Sequence, residues 1–179
     1  MTTGPTADMA SERLTRSGLV VSLAPTGSAD LDELFRLFGA IVAADEGYPQ
    51  APDEPLAFED FLTYWHEPAT TGVVARLDGE LVGAYTLKPN GVGRAAHVAN
   101  AGYIVAAPFR GRGIGEQLVT HSLESARSLG FDAMQFNFVF ETNPARRLYE
   151  RLGFRVVGRV PDVIDGEAVV LYWRRIDPR

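Results

Sequence analysis

Six consecutive residues carry the clearest chemistry in this chain: Arg110-Gly111-Arg112-Gly113-Ile114-Gly115. An extended apolar run, residues 102–109, leads into them, and a helical pattern over 116–129 follows, closed by Gly130. A strand that turns through glycines into a helix leaves backbone N–H groups unpaired beside the positive end of the helix dipole, which is a phosphate site. The glycines permit close approach of an anion, and Arg110 and Arg112 add charge and forked donors. A dinucleotide fingerprint is excluded, because Glu116 occupies the third position after Gly113. A Walker loop is excluded as well, since the only lysine is Lys88. What remains is R-x-x-G-x-G on Arg110, Gly113 and Gly115, or a glycine turn that only packs a helix on a sheet.

Composition narrows the partners. The chain has 179 residues, 46% of them hydrophobic, enough for one domain with a substantial core. It has no cysteine, so disulfides, thiolate metal sites and thiol nucleophiles are excluded. His66, His97 and His121 lack metal-ligand spacing, and no metal is expected. Net charge is −6, with 5 basic and 14 acidic residues in 1–90 against 12 and 9 in 91–179. A basic half suits an anionic cofactor, an acidic half a cationic acceptor, and nucleic acid is a poor partner for this balance. Residues 1–18 are polar and read as a disordered tail without the apolar core of a signal peptide. No segment approaches membrane-spanning length, so a cytoplasmic enzyme is expected. Residues 19–179 read as a single domain, with monomer and homodimer both open.

The elements that must position the loop follow from periodicity. Residues 19–23 read as a strand. Asp30 and Glu33 open a helix whose stripe is Leu31, Leu34, Phe35, Phe38, Ile41 and Val42, and a shorter helix buries Phe58, Phe61, Leu62 and Trp65. Strands over 73–77 and 81–87 flank the hairpin signal Asp78-Gly79, and 97–106 feeds the glycine loop. Beyond the loop helix, 133–140 is a strand with Met134, Phe136, Phe138 and Phe140 on one face. Asn143-Pro144 then starts a helix with Ala145, Leu148, Tyr149 and Leu152 as its stripe. Strands over 154–159 and 167–176 close the chain. The order is β-α-α-β-β-β-α-β-α-β-β, in which only the pair around the loop helix needs a parallel crossover.

This order, the R-x-x-G-x-G loop and the stretch Leu148-Tyr149-Glu150-Arg151-Leu152-Gly153-Phe154 resemble the GCN5-related N-acetyltransferase family from residue 19 to about 176. The resemblance implies a mixed α/β fold: a mostly antiparallel sheet of six or seven strands with one parallel, splayed pair, and about four helices. It implies acetyl-CoA as acyl donor, its pantetheine arm in the splay. The backbone around Ile104 and Val105 would hydrogen-bond the thioester carbonyl, and the amides of Gly111, Arg112, Gly113, Ile114 and Gly115, with Arg110, would hold the pyrophosphate. Tyr149 would protonate the leaving thiolate, although helical spacing also allows it a purely structural place in the core. Asn143 would contact the cofactor or cap its helix.

Three further stretches, residues 88–90, 100–102 and 136–143, resemble the fungal acetyltransferases of proline analogues and their bacterial relatives. In that group the asparagines matching Asn100 and Asn137 contact an amino-acid acceptor. An asparagine inside an apolar strand, as Asn137 is, needs partners for its amide, which neighbouring backbone could equally supply. The acceptor amine must attack as a free base, at a cost of about 4 kcal/mol for an alkylamine at pH 7. Glu46, His97, Glu141 or solvent could take the proton. The expected function is therefore acetyl transfer to a small-molecule amine, such as a free or cyclic amino acid. A protein or peptide acceptor, or a non-catalytic acyl-CoA-binding module, are the alternatives.

Overall fold

Apolar residues at helical spacing set the first layer. Leu34, Phe38, Ile41 and Val42 on α1 (Leu31–Ala43) and Phe61 and Trp65 on α2 (Phe58–Trp65) are buried together with Val74, Leu81, Ala84 and Ile104 of the sheet. On the opposite face, α3 (Ile114–Ser128) and α4 (Arg146–Arg151) bury Ile114, Leu118, Val119 and Tyr149. Between them lies one eight-stranded sheet in this computed structural model, which describes residues 9–176. Its strands are β1 (Ser11–Leu14), β2 (Val20–Pro25), β3 (Thr71–Leu77), β4 (Glu80–Pro89), β5 (Val98–Val105), β6 (Ala133–Phe140), β7 (Arg155–Ile164) and β8 (Glu167–Arg175). They lie in the order β1-β2-β3-β4-β5-β6-β8-β7, and only β5 and β6 run parallel. Among the described residues no helix is long and apolar enough to cross a membrane.

The parallel pair shapes the site. It is registered only at Val98↔Ala133 and Ala99↔Met134, after which the strands diverge. The expected splay is present.

Three expectations need correction. Residues 11–14, assigned with 1–18 to a disordered tail, form β1, paired to β2 from Ser11↔Leu23 to Leu14↔Val20. The segment holds because Met9 is buried in the core and Thr15 Oγ1 accepts the Leu19 amide at 3.1 Å. A polar edge strand with one face on the protein carries too little apolar signal to be read from sequence. Residues 1–8 of the expected tail and 177–179 of the expected domain lie outside the described residues. The sheet therefore has eight strands, against the six or seven expected.

The second correction concerns β6. Its register to β8 slips by one residue between Phe136 and Val139. This bulge at Asn137 and Phe138 breaks the alternation, so Met134, Phe136 and Val139 face the α3–α4 core rather than Met134, Phe136, Phe138 and Phe140. The last correction is the length of β7, which passes Pro161 and reaches Ile164. It is an edge strand, where a missing N–H is tolerated, and its register shifts between Val160 and Ile164.

Candidate active site

The pairing of β4 with β5 decides which backbone groups face the gap. Ala106 N–H donates to Val82 O at 2.9 Å and Asn90 N–H to Val98 O at 2.8 Å. In an antiparallel ladder these bonds turn the even-numbered residues of β5 toward β4, and the N–H and C=O of Ala101, Tyr103 and Val105 toward the gap. Two of the exposed carbonyls are capped by side chains. Tyr48 Oη donates to Tyr103 O at 3.1 Å, and Arg110 Nε donates to Val105 O at 3.0 Å. The edge therefore presents the N–H groups of Tyr103 and Val105 as donors. Ile104, whose backbone faces β4, buries its side chain against α1 and α2.

At the end of that strand the chain makes the glycine turn. Gly113 caps α3 in the left-handed region, at φ 86°, where a side chain is strained. A Cβ there would also lie 3.2 Å from Arg16 N and Thr15 Cβ. The β1–β2 turn thus supports the loop from behind, and Ser17 Oγ donates to Arg112 O at 2.7 Å. The first bond from the helix back to the turn is Gln117 N–H to Gly113 O, at 3.3 Å. The amides of Gly111, Arg112, Gly113, Ile114 and Gly115 precede it and have no backbone acceptor among the described residues. The Arg112 guanidinium lies over the Phe109 ring, 5.5 Å from its centroid. The turn thus presents unpaired amides beside an arginine, the arrangement an anion site requires.

The gap opens into a cavity of about 620 Å³. Val105, Gly115 and Leu148 line its donor side. Tyr149 lines it too, only 8% exposed, with its ring 4.8 Å from that of Phe136 and 6.2 Å from that of Tyr103. Its hydroxyl has no hydrogen-bond partner among the described residues, and burial, followed by nearby Tyr172, pushes its pKa well above the usual phenol value. It is a neutral O–H donor held inside a cavity. Asn143 also lines the cavity: its Oδ1 accepts the Ala145 N–H at 2.9 Å, and its Nδ2 would lie 2.9 Å from a Cβ at Gly47. Asn143 thus forms a local turn just ahead of α4, whose N-cap is Ala145 and which begins at Arg146 rather than at Pro144, while closing against the α1–α2 loop.

The comparisons with known proteins now decide the family. The profile of the acetyltransferase (GNAT) family matches residues 36–154. This chain is a GNAT protein. It is 40% identical over 98 residues to N-acetyltransferase aca1 of Schizosaccharomyces pombe, covering 53% of this chain and 47% of that protein. It is 28% identical over 109 residues to L-amino acid N-acetyltransferase AaaT of Escherichia coli, covering 59% and 67%. The chain therefore spans about half the length of the first of these relatives. A GCN5-related N-acetyltransferase from Kribbella flavida superposes with a TM-score of 0.79 at 34% identity, covering 87% of this chain and 97% of that one. The yncA acetyltransferase fold from Salmonella typhimurium, solved with its cofactor acetyl-CoA, superposes with a TM-score of 0.77 at 17% identity, covering 89% of this chain and 95% of that one.

Not every expected site residue reaches the GNAT cavity. Asn100 lies where β5 and β6 begin to diverge and donates to Gln135 O at 2.8 Å, tying the strands together. Asn137 is exposed in the β6 bulge, donating to Asn90 Oδ1 and accepting from Gln135 Nε2. Neither lines the cavity, and Asn137 is not the buried amide expected of an asparagine inside an apolar strand. The candidate bases fare no better. The Arg110 guanidinium bound to Glu46, and Arg159 bound to Glu141, hold those carboxyls below the usual range, which weakens both as proton acceptors. His97 sits exposed at the foot of β5, its Nδ1 2.9 Å from Arg94 O.

Sequence reasoning missed the far wall of the cavity. It is made by Asp45, Tyr48, Phe140, Thr142 and, from the β7–β8 hairpin, Ile164 and Glu167. The Asp165-Gly166 dipeptide, a hairpin signal that went unread, could have located that turn, but no local signal places its tip over the cavity. Glu167 is fixed there by bonds from the Thr142 amide and hydroxyl.

Proposed function

We propose that this protein transfers the acetyl group of acetyl-CoA to the nitrogen of a small-molecule amine. The observation that carries the reading is the pairing of an unbonded Val105 N–H on the open strand edge with the unpartnered Tyr149 hydroxyl in the same cavity. The neutral amine attacks the thioester carbonyl carbon, forming the C–N bond. The carbonyl oxygen takes up negative charge against the fixed Val105 N–H. Collapse of the tetrahedral intermediate breaks the C–S bond, and Tyr149 gives its proton to the departing thiolate. The amine proton leaves to water, because Glu46 and Glu141 are occupied by arginines.

An amino-acid acceptor is supported by the likeness to the E. coli enzyme, whose name states that activity. A specific observation favours a second reading. Asp45, Asp165 and Glu167 line the cavity without a cationic partner among the described residues, which suits an acceptor of net positive charge better than a zwitterion. A diamine, an amino-acid amide or a peptide N-terminus would meet that condition. CoA release measured across amino acids, their amides, diamines and short peptides distinguishes the two. Best turnover among free amino acids supports the first reading, and best turnover among the cations supports the second. No CoA release with any acceptor, alongside tight acetyl-CoA binding, would make this a binding module.

A further inference from the structure

The side chain of Arg110 is engaged in an unexpected direction. Three of its five N–H donors are committed: Nε to Val105 O at 3.0 Å, Nη1 to Glu46 Oε1 at 2.6 Å, and Nη2 to Glu46 Oε2. Glu46 is itself placed by the end of α1. Asp45 N–H donates to Val42 O at 2.9 Å and Glu46 N–H to Ile41 O at 3.2 Å, with Asp45 at φ 54°. This is a Schellman stop in which aspartate holds the left-handed position usually given to glycine. The turn directs Glu46 back over the gap. The two residues after it bear on the cavity, Gly47 against Asn143 and Tyr48 against Tyr103 O. The acyl-donor strand and the acceptor-side loop are thereby joined through one guanidinium.

We propose that Arg110 and Glu46 are a positioning pair. The Arg110 guanidinium acts as a strut from the Val105 carbonyl to Glu46, holding residues 45–48 at the mouth of the cavity, so that the acceptor wall is set by the strand that binds the thioester. The glycine-turn amides and Arg112 are left to serve the pyrophosphate. This rests on the acetyl-transfer reading, and it assigns the first arginine of the motif to acceptor geometry.

Two donors separate a strut from a phosphate ligand: acetyl-CoA, and S-acetyl-N-acetylcysteamine, which has the thioester but no pyrophosphate. With the best amine of the panel, Arg110→Gln and Glu46→Gln should each lower acceptor kcat/KM about tenfold with both donors, the loss of one charge-assisted pair. The double variant should be no worse than the poorer single one. Affinity for CoA should stay within about threefold in all of them, and amide hydrogen exchange of residues 45–48 should quicken in each single variant without ligand. A loss in Arg110→Gln confined to acetyl-CoA, with CoA binding weakened and N-acetylcysteamine kinetics unchanged, overturns the strut. So does wild-type behaviour of Glu46→Gln. If the wild type transfers to no amine, the reaction reading fails by itself. The exchange comparison then decides the pair: faster exchange at 45–48 upholds it and unchanged exchange overturns it.

Discussion

The two sides of the β5–β6 gap are built differently. The side proposed for the donor is a contiguous piece of chain, from Val105 through the glycine turn into α3, and it offers backbone N–H groups. The side proposed for the acceptor is assembled from the α1 stop, the segment after β6 and the tip of the β7–β8 hairpin, and it offers side chains. Backbone donors tolerate substitution of neighbouring residues as long as the turn survives. A wall of separate side chains can be altered without disturbing the donor, which lets one donor site serve different acceptors. Substitutions on the two sides should therefore separate donor binding from acceptor turnover.

The largest effect is expected on the donor side. Gly113→Asp puts a side chain where φ is 86° and a carboxylate at the anion site, and should weaken acetyl-CoA binding roughly a hundredfold by calorimetry, against a smaller loss for Gly113→Ala. Equal losses for the two variants would show that strain alone matters there. Next comes Tyr149→Phe, which keeps the packed ring and removes an unpartnered hydroxyl. It should lower kcat about a hundredfold with acetyl-CoA affinity unchanged. Wild-type turnover would return Tyr149 to a purely structural place in the core.

The pH dependence follows from the same hydroxyl. Tyr149 must carry its proton to act, and burial raises its pKa, so the active form persists as pH rises. The kcat profile should hold its alkaline plateau to at least about pH 10, the ordinary phenol value. A fall through pH 8–9 that disappears in Tyr149→Phe would contradict this. The smallest effects belong to the amides outside the cavity. Asn100→Ala removes one interstrand bond and should cost about 1 kcal/mol, roughly 2–4 °C in Tm. Asn137→Ala should change acceptor kcat/KM by less than about twofold, since its neighbours and not the acceptor satisfy it. A tenfold loss in either variant would move the acceptor onto the outer amide cluster.

The same contrast explains what was legible in the sequence. The donor side could be read because its signals are local: glycines at fixed offsets, an apolar strand before them and a periodic helix after. Tyr149 was singled out only through the resemblance, since helical spacing alone gives it a place in the core; the fold puts it on the cavity wall. The acceptor side was not, because Glu46, Thr142 and Glu167 meet only through the fold. Asn137 was misplaced for a sharper reason. It was read as buried because its strand is apolar, but it falls within a one-residue bulge and is exposed, and the same bulge changes which face the later side chains Phe138 to Phe140 occupy. The edge strand β1 was missed because its stability comes from Met9 and Thr15, outside its own four residues.

The central claim is that the thioester lies in the β5–β6 gap, between the Val105 amide and the Tyr149 hydroxyl. A crystal structure of the acetyl-CoA complex tests it most directly. The thioester oxygen is expected about 3 Å from Val105 N, with the sulfur facing Tyr149 Oη and the pyrophosphate on the amides of residues 111–115. A cofactor bound outside the gap, or a thioester turned away from both groups, would contradict it.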